Sequence, residues 1–405
     1  MCSISCRSTR IESPAGRRHE LLLHGPNCNH KRYFPIVIDA VEYLDVFDAS
    51  LVEILLAIVA EIAAELHKKE DISLKAGYFE KRWAEIKNLL FSDAEVKKIE
   101  IPLWKGKAEI RLKQADRKTR NEVRYHLEPQ MPSLISEINT LLIDVRRRFA
   151  AHNPKDGGPK YDNIVLIVDN MERIRQVAGK SQGDESERAL FVDGATQLNA
   201  LRANIIYTVP LGLVRSIEPQ LEALYGRKPF ILPNVKTFTR ENHLRFQPGR
   251  DKLIEMLLKR AKSQNIREVI DKDALDFLLD YCGGHVRQFM TFIRQTTRET
   301  KTTPIGIEAA EKAIQNSVTM YSTTIRTSQW PLLAQLERSV DKTWDSNDLD
   351  RRVLLENLCV LEYMNGGENE SIFEAAEPWY AVHPIVRELR QFKSAVKDLQ
   401  QTAKP

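Results

Sequence analysis

No stretch of this 405-residue chain supplies the ~20 consecutive apolar residues that a membrane-spanning helix needs. The longest apolar run, residues 51–66, is broken by Glu53, Glu61 and Glu65. The opening residues lack the basic end, apolar centre and small-residue cleavage site of a secretion signal. A cytoplasmic protein with no membrane contact is expected. Cysteine is scarce: of the five in the chain, Cys2, Cys6 and Cys28 fall at the start, leaving Cys282 and Cys359. That usage excludes a disulfide scaffold and fits a reducing compartment. Cys2, Cys6, His24, Cys28 and His30 invite a zinc reading, but their spacing matches no standard finger. An irregular N-terminal segment, residues 1–32, is the better description.

An excess of charge is also missing from the body of the chain. The formal net charge is +4, and residues 1–32 hold Arg7, Arg10, Arg17, Arg18, Lys31 and Arg32 against only Glu12 and Glu20. The whole excess therefore sits in that segment, and net charge gives no argument for a polyanion partner. With 42% hydrophobic and 29% charged residues the chain can bury a substantial core.

From Tyr33 onward the text acquires regular patterns. Phe34, Ile36, Val37 and Ile38, ending in Asp39, form a short β-branched run that predicts a buried strand. Asp48 or Ser50 then caps a helix whose apolar residues Leu51, Ile54, Leu55, Ile58, Val59 and Ile62 keep a 3.6-residue period. Residues 72–128 read as an insertion, with a helix over 78–90 and a hairpin pairing 99–103 with 108–112. An amphipathic helix is predicted over 131–149. The most apolar strand, residues 164–168, ends in Asp169 and Asn170; a helix over 189–201 and a third buried strand, 204–208, follow. Strands alternating with helices argue for an α/β core with a parallel sheet. Beyond it the pattern is helical, over 253–264, 272–281, 286–299 and 306–317. The last block holds helices, a strand 358–364, a strand 379–382 and a helix from Pro384, the order of a winged helix. The expected domains are a core over 33–245, a helical lid over 246–325, a winged helix over 326–395 and a tail over 396–405.

Three features carry chemistry. A phosphoryl-transfer site needs a carboxylate fixed at the end of a buried strand to hold Mg²⁺ beside the phosphates, and Asp169 fits. Thr208, ending the next strand, could sense a γ-phosphate or orient water. Gly283 and Gly284 open a helix carrying Arg287 one turn in, where paired glycines let backbones approach closely and a guanidinium could grip a phosphate.

Taken in order, these features resemble the AAA+/STAND P-loop ATPases over residues 33–393. Asp169 resembles the Walker B acid, Thr208 the first sensor and Arg287 the second. His383, within Trp379 to Glu388, is similar to the STAND histidine that contacts a β-phosphate. The resemblance implies a P-loop-type core, bound ATP or ADP with Mg²⁺ on Asp169, and Asp169, Thr208 and Arg287 converging on one cleft. Three departures temper it. The phosphate-cradling pattern G-x-x-x-x-G-K-[ST] is absent; the nearest text keeps Gly25 and Lys31, but His30 replaces the second glycine and Arg32 the hydroxyl. No helix fits between Lys31 and the strand at Phe34. Asn170 stands where hydrolases carry a catalytic Glu, and Glu172, two residues on, would point elsewhere. Weak nucleotide binding and slow turnover, a switch rather than a motor, are expected.

Arg146, Arg147 and Arg148 could form an arginine finger but read better as a solvated helix end. Around the expected wing, acids such as Asp345, Glu362, Glu368 and Glu377 outnumber Arg351 and Arg352, so nucleic acid is the less favoured partner. A protein partner or self-association is favoured, and a nucleotide-free scaffold is the alternative to the switch.

Overall fold

The computed structural model describes residues 21–22, 32–45, 48–68, 117–151, 161–174, 185–261, 265–300, 302–364 and 377–402. The expected helix over 78–90 and the hairpin at 99–112 lie outside these residues, as do Gly25, Lys31 and the early cysteines. The chain is mixed α/β and mainly helical, and it divides into two compact units, Met1–Pro229 and Phe230–Pro405.

The first unit is built on a sheet of order β1 (Leu21–Leu22), β2 (Arg32–Asp39), β3 (Asn163–Asp169) and β4 (Asn204–Tyr207). The last three strands are parallel, and the short β1 pairs antiparallel with β2. Burial tracks position in the sheet. Ile164, Val165, Leu166 and Val168 of the central β3 are buried, as a strand with neighbours on both sides should be. In β2, Ile36 and Ile38 are fully buried but Val37 is 43% exposed, and in β4 Ile206 is 41% exposed. The expectation of a third fully buried strand is thus corrected: β4 ends the strand order among the described residues and is only half covered.

Two helices cover the sheet. In α1 (Leu51–Lys68) apolar residues from Val52 to Ile62 bury almost the entire circumference. Its start uses Ser50 rather than Asp48: Ser50 Oγ accepts from the Glu53 amide at 3.4 Å, and Glu53 Oε2 accepts from the Ser50 amide at 3.0 Å. That reciprocal pair satisfies two otherwise orphaned donors. Asp48 instead receives Arg124 Nη1 at 2.8 Å and Arg120 Nη2 at 3.1 Å, both from α2 (Arg117–Leu127). Arg124 also reaches Glu53 at 2.9 Å, so α2 is clamped to the start of α1 across 71 residues of chain. The second covering helix, α3 (Met131–Ala151), buries Leu134, Ile138, Leu141, Leu142, Val145 and Phe149 at helical spacing. Phe149 stacks on Phe34 of β2 at 4.7 Å. Each such side chain removed from water contributes about 1.5–3 kcal/mol.

The helix expected over 189–201 is present in pieces: Glu185–Arg188, a π turn at Ala189–Asp193 and Ala195–Asn199. Another helix, α4 (Leu211–Tyr225), has no counterpart among the sequence expectations. Pro219 inside it lacks an N–H and crowds the preceding turn, and Ile217 accordingly leaves helical geometry.

The second unit carries α5 (Gln247–Ala261), α6 (Lys272–Tyr281), α7 (Val286–Glu299) and α8 (Ile307–Thr324), then α9 (Trp330–Arg338) and α10 (Leu349–Glu356). Strands β5 (Val360–Met364) and β6 (Pro378–Val382) form an antiparallel pair, followed by α11 (Pro384–Glu388) and α12 (Arg390–Thr402). The expected tail from 396 is therefore helical as far as Thr402. Phe238, Leu361, Tyr363, Trp379 and Ala381 form a buried cluster on this hairpin, with Trp379 stacked on Tyr363 at 4.4 Å.

Candidate functional site

Parallel strands bring their C-terminal ends to one edge of a sheet, the edge at which open α/β sheets hold ligands. Here that edge is polar. The register of β2 on β3 places Asp39 beside Asp169, both half-buried. Asn170 follows in a left-handed conformation, φ 62°, which short polar side chains tolerate better than branched ones. Its Nδ2 donates to Asp39 Oδ1 at 2.9 Å, and its amide donates to Asp169 Oδ1 at 2.9 Å. Asp39 Oδ1 also accepts from the Val41 amide at 3.0 Å and caps the short turn Ala40–Tyr43.

Thr208 extends the same edge. Its amide donates to Val168 O at 3.1 Å, one step beyond the last β4 residue, and its Oγ1 accepts from the Met171 amide at 2.9 Å. The threonine oxygen thereby pins the turn after β3, leaving its O–H to donate. Two carboxylates, a carboxamide and a hydroxyl thus share one strand-end surface. Glu172 sits in the 3-10 turn Met171–Arg173, where its Oε2 is buried without a hydrogen-bond partner. A carboxylate oxygen so placed is costly unless a donor reaches it.

Asp169 forms no ion pair among the described residues, and with Asp39 it offers two hard oxygen donors. Mg²⁺ is usually held by one or two carboxylates completed by phosphates and water, so these residues suit it. No group of three or more His, Cys, Asp or Glu able to hold a metal occurs among the described residues. A metal bound by protein side chains alone does not fit.

Arg287 and His383 belong to the second unit. Arg287 is exposed in the first turn of α7. The close approach expected of the paired glycines is present: Gly283 and Gly284 have φ 55° and 73°, and a Cβ on Gly284 would lie 1.7 Å from Val235 O. His383 is fully buried, with both ring nitrogens engaged by protein. Nδ1 accepts from the Ile385 amide at 3.2 Å, capping α11, and Nε2 lies 2.7 Å from Gln288 Oε1. Gln288 Nε2 in turn donates to Tyr321 Oη at 3.4 Å, so its oxygen faces the histidine and the Nε2–H donates. Burial, with His285 nearby, lowers the His383 pKa to about 3, and burial beside Arg287 lowers that of His285 to about 4. Both imidazoles are neutral at physiological pH.

Arg146 and Arg147 are exposed at the end of α3, and Arg147 lies 3.9 Å from Asp144 one turn back. Glu362, one of the acids assigned to the wing surface, is buried inside β5, where Tyr380 Oη donates to its Oε2 at 3.1 Å.

No protein-family model, curated protein or solved structure matches this chain. None of its helices, among the described residues, is long and apolar enough to cross a membrane.

Sequence reasoning passed over Asp39. Its signal was the repetition itself, since β2 and β3 are both apolar runs closed by aspartate. Gln288 and Tyr321 gave no signal, because a single glutamine and tyrosine on helices become partners of His383 only through tertiary packing.

Proposed function

We propose that this chain is a nucleotide-responsive regulatory protein of the AAA+/STAND kind, poorly equipped as written to hold its nucleotide. The observation that carries the reading is the strand-end edge: Asp169 and Thr208 close adjacent parallel strands and are joined through the turn at Met171. Asp169, with Asp39 beside it, would hold Mg²⁺, which supplies charge neutralisation to phosphates. The Thr208 hydroxyl would donate a hydrogen bond to a terminal phosphate oxygen. Asn170 cannot take a proton at neutral pH, and its side-chain Nδ2 is committed to Asp39, so the edge favours binding over rapid hydrolysis. In the second unit, Arg287 is exposed and able to meet a phosphate, whereas His383 could do so only by exchanging its bonds to Gln288 and Ile385. On this reading the helices α5–α8 of the second unit would serve as a lid, and α9, α10, β5 and β6 as a winged helix. A partner protein, or a second copy, would read its position.

The missing element is the phosphate cradle. The test replaces residues 1–31 with a strand, a G-x-x-x-x-G-K-[ST] loop and a helix, then titrates Mg-ATP and Mg-ADP by calorimetry beside the original chain. The original is expected to bind in the millimolar range or more weakly. The supplemented chain should bind at least about tenfold more tightly, a gain of ~1.4 kcal/mol, and Asp169→Asn should abolish the Mg²⁺ dependence. A folded supplemented chain that ignores nucleotide would sink the reading.

A nucleotide-free scaffold is the second reading. The mutual bonds of Asp39, Asn170, Asp169 and the Asn170 amide favour it, because the edge is partly self-satisfied without a ligand.

A further inference from the structure

The second unit contains a seam where three stretches distant in sequence meet. Helices α6 to α8 contribute Gly283, Gln288 and Tyr321; the hairpin and α11 contribute Leu361, Tyr363 and His383; residues 230–246 lie across both. Tyr363 Oη, fully buried, donates to Gly283 O at 2.6 Å, and Tyr321 Oη donates to Leu358 O at 3.4 Å. His383 Nε2 donates to Gln288 Oε1 at 2.7 Å, and the two rings of Tyr321 and His383 lie 4.8 Å apart. The strap adds bonds in both directions: the Asn234 amide and Nδ2 donate to Glu362 O at 3.0 and 3.1 Å, and the Val235 amide donates to Gly284 O at 3.1 Å. Phe238 from the strap packs edge-on against Tyr363 and Trp379, at 5.3 and 6.0 Å.

The two glycines make this contact sterically feasible. A Cβ on Gly283 would sit 2.3 Å from Leu361 Cδ1 and 3.0 Å from Pro384 Cδ, and one on Gly284 would strike the strap backbone. Their left-handed φ angles and their missing side chains are therefore both consumed by the seam rather than left for a moving hinge.

We propose that α6–α8 and the β5–β6–α11 module are a single rigid element, sealed at Gly283–Gly284 by Tyr363, His383 and the 230–246 strap, so that no switching event parts them. Under the nucleotide-switch reading this makes His383 a positioning residue of the seal; the proposal stands independently of that reading, since the seal involves no ligand. A buried hydrogen-bonded network packed between such close backbone contacts opens only with the cooperative unit that contains it.

Hydrogen exchange of the full chain, followed by mass spectrometry without nucleotide, tests it. Peptides covering α6 and α7 and peptides covering β5 and β6 should share one opening equilibrium. Gln288→Ala, which removes the bond to His383 while keeping the glycines, should accelerate exchange in both sets by the same factor, about tenfold for ~1.4 kcal/mol of lost stability. Peptides of β3 should be unaffected, which shows that the first unit stays folded. Acceleration of one set alone would overturn the proposal. A second measurement covers the case in which exchange is too slow to resolve. Spin labels at Lys312→Cys on α8 and Glu388→Cys on α11, in a background lacking the native cysteines, should report one narrow distance, unchanged by Mg-ATP or Mg-ADP. Two distances in the labelled protein would equally overturn it. Failure of nucleotide to bind would leave both results standing.

Discussion

The strand-end edge of the first unit and the seam of the second are both rich in polar groups, but they are finished differently. At the seam the Tyr363 hydroxyl, both His383 ring nitrogens and the Gly283 carbonyl have protein partners and are withdrawn from water, and among the groups named there only the Trp379 indole N–H is buried without one. At the edge, Asp169 and Thr208 are half-exposed, Asp169 forms no ion pair among the described residues, and Glu172 buries an oxygen with no donor. A buried network bonded across three stretches gives rigidity and specificity; half-exposed acids at the C-terminal end of a parallel sheet are where a ligand can be accommodated. The contrast separates the part of the chain that holds shape from the part that retains bonding capacity.

The largest expected effect breaks the sealed side. Gly284→Ala adds a methyl group 1.7 Å from Val235 O at φ 73°, a clash with backbone that cannot rotate away. A loss of roughly 4 kcal/mol or more is expected, in the range reached only by core disruption. Gly226→Ala is the matched control, since Gly226 has φ 64° but nothing within 4 Å of its would-be Cβ. It should cost only about 1–2 kcal/mol from backbone strain. Urea denaturation of both variants measures the difference; equal losses would show that the seam is not tightly packed.

Next in size is the clamp of α2 on α1. Glu53 is 3% exposed, and burial raises its pKa even though Arg124 opposes the rise. Burial also works against the Asp48 carboxylate, but there Arg124 and then Arg120 outweigh it and the pKa falls below the ordinary range. Arg124→Ala strands Glu53, and breaking a buried pair in this way costs about 3–5 kcal/mol. Replacing Glu53 by Gln in the same background should recover part of that loss, read as a shift of the denaturation midpoint.

A third effect follows from the two neutral histidines of the seam. Their folded pKa values, about 4 for His285 and about 3 for His383, lie below the ordinary ~6.5. The unfolded chain therefore binds two more protons between those limits. The stability gained by keeping both neutral is complete above about pH 6.5 and is lost as pH falls towards 4 and 3. The slope these two groups contribute reaches about 2.7 kcal/mol per pH unit, ~1.4 from each. His383→Gln should halve the proton uptake on unfolding between pH 6 and 5. An unchanged uptake would mean that His383 titrates normally and that the seam admits water.

How much of this was legible in the sequence follows the same division. Strands β2 and β3 and helices α6 and α7 could be read because their apolar residues repeat at fixed periods, and that periodicity is a local property. The carboxylate at Asp169 could be read because it closes the most apolar run. Asp39 was legible by the same rule but was not drawn into the site, since only the β2–β3 register sets the two acids side by side. Half-exposed β4 could not be told from a buried strand, because Asn204 to Tyr207 has the composition of either and its cover is decided by what lies beside it. Helix α4 was hidden by Pro210 and Pro219, which read as breaks although the chain kinks and continues. His383 was read through its neighbours along the chain, whereas its partners Gln288 and Tyr321 lie 95 and 62 positions away.

The smallest expected change in stability falls on the open side and sharpens the comparison most. Asp169→Asn keeps an oxygen for the Asn170 amide and removes a charge that forms no ion pair among the described residues, so the melting temperature should move little, within about 0.5 kcal/mol of stability. Thr208→Val removes the acceptor for the Met171 amide and should cost about 1 kcal/mol. In the P-loop-supplemented chain the ranking should invert. There Asp169→Asn should abolish Mg²⁺-dependent affinity, while Arg124→Ala and His383→Gln should lower stability without changing affinity for the nucleotide once folded. Calorimetry and denaturation on the same preparations give both orders. If Asp169→Asn destabilised the chain as strongly as Arg124→Ala, the strand-end edge would be a second sealed network, and the reading of it as a ligand edge would fall.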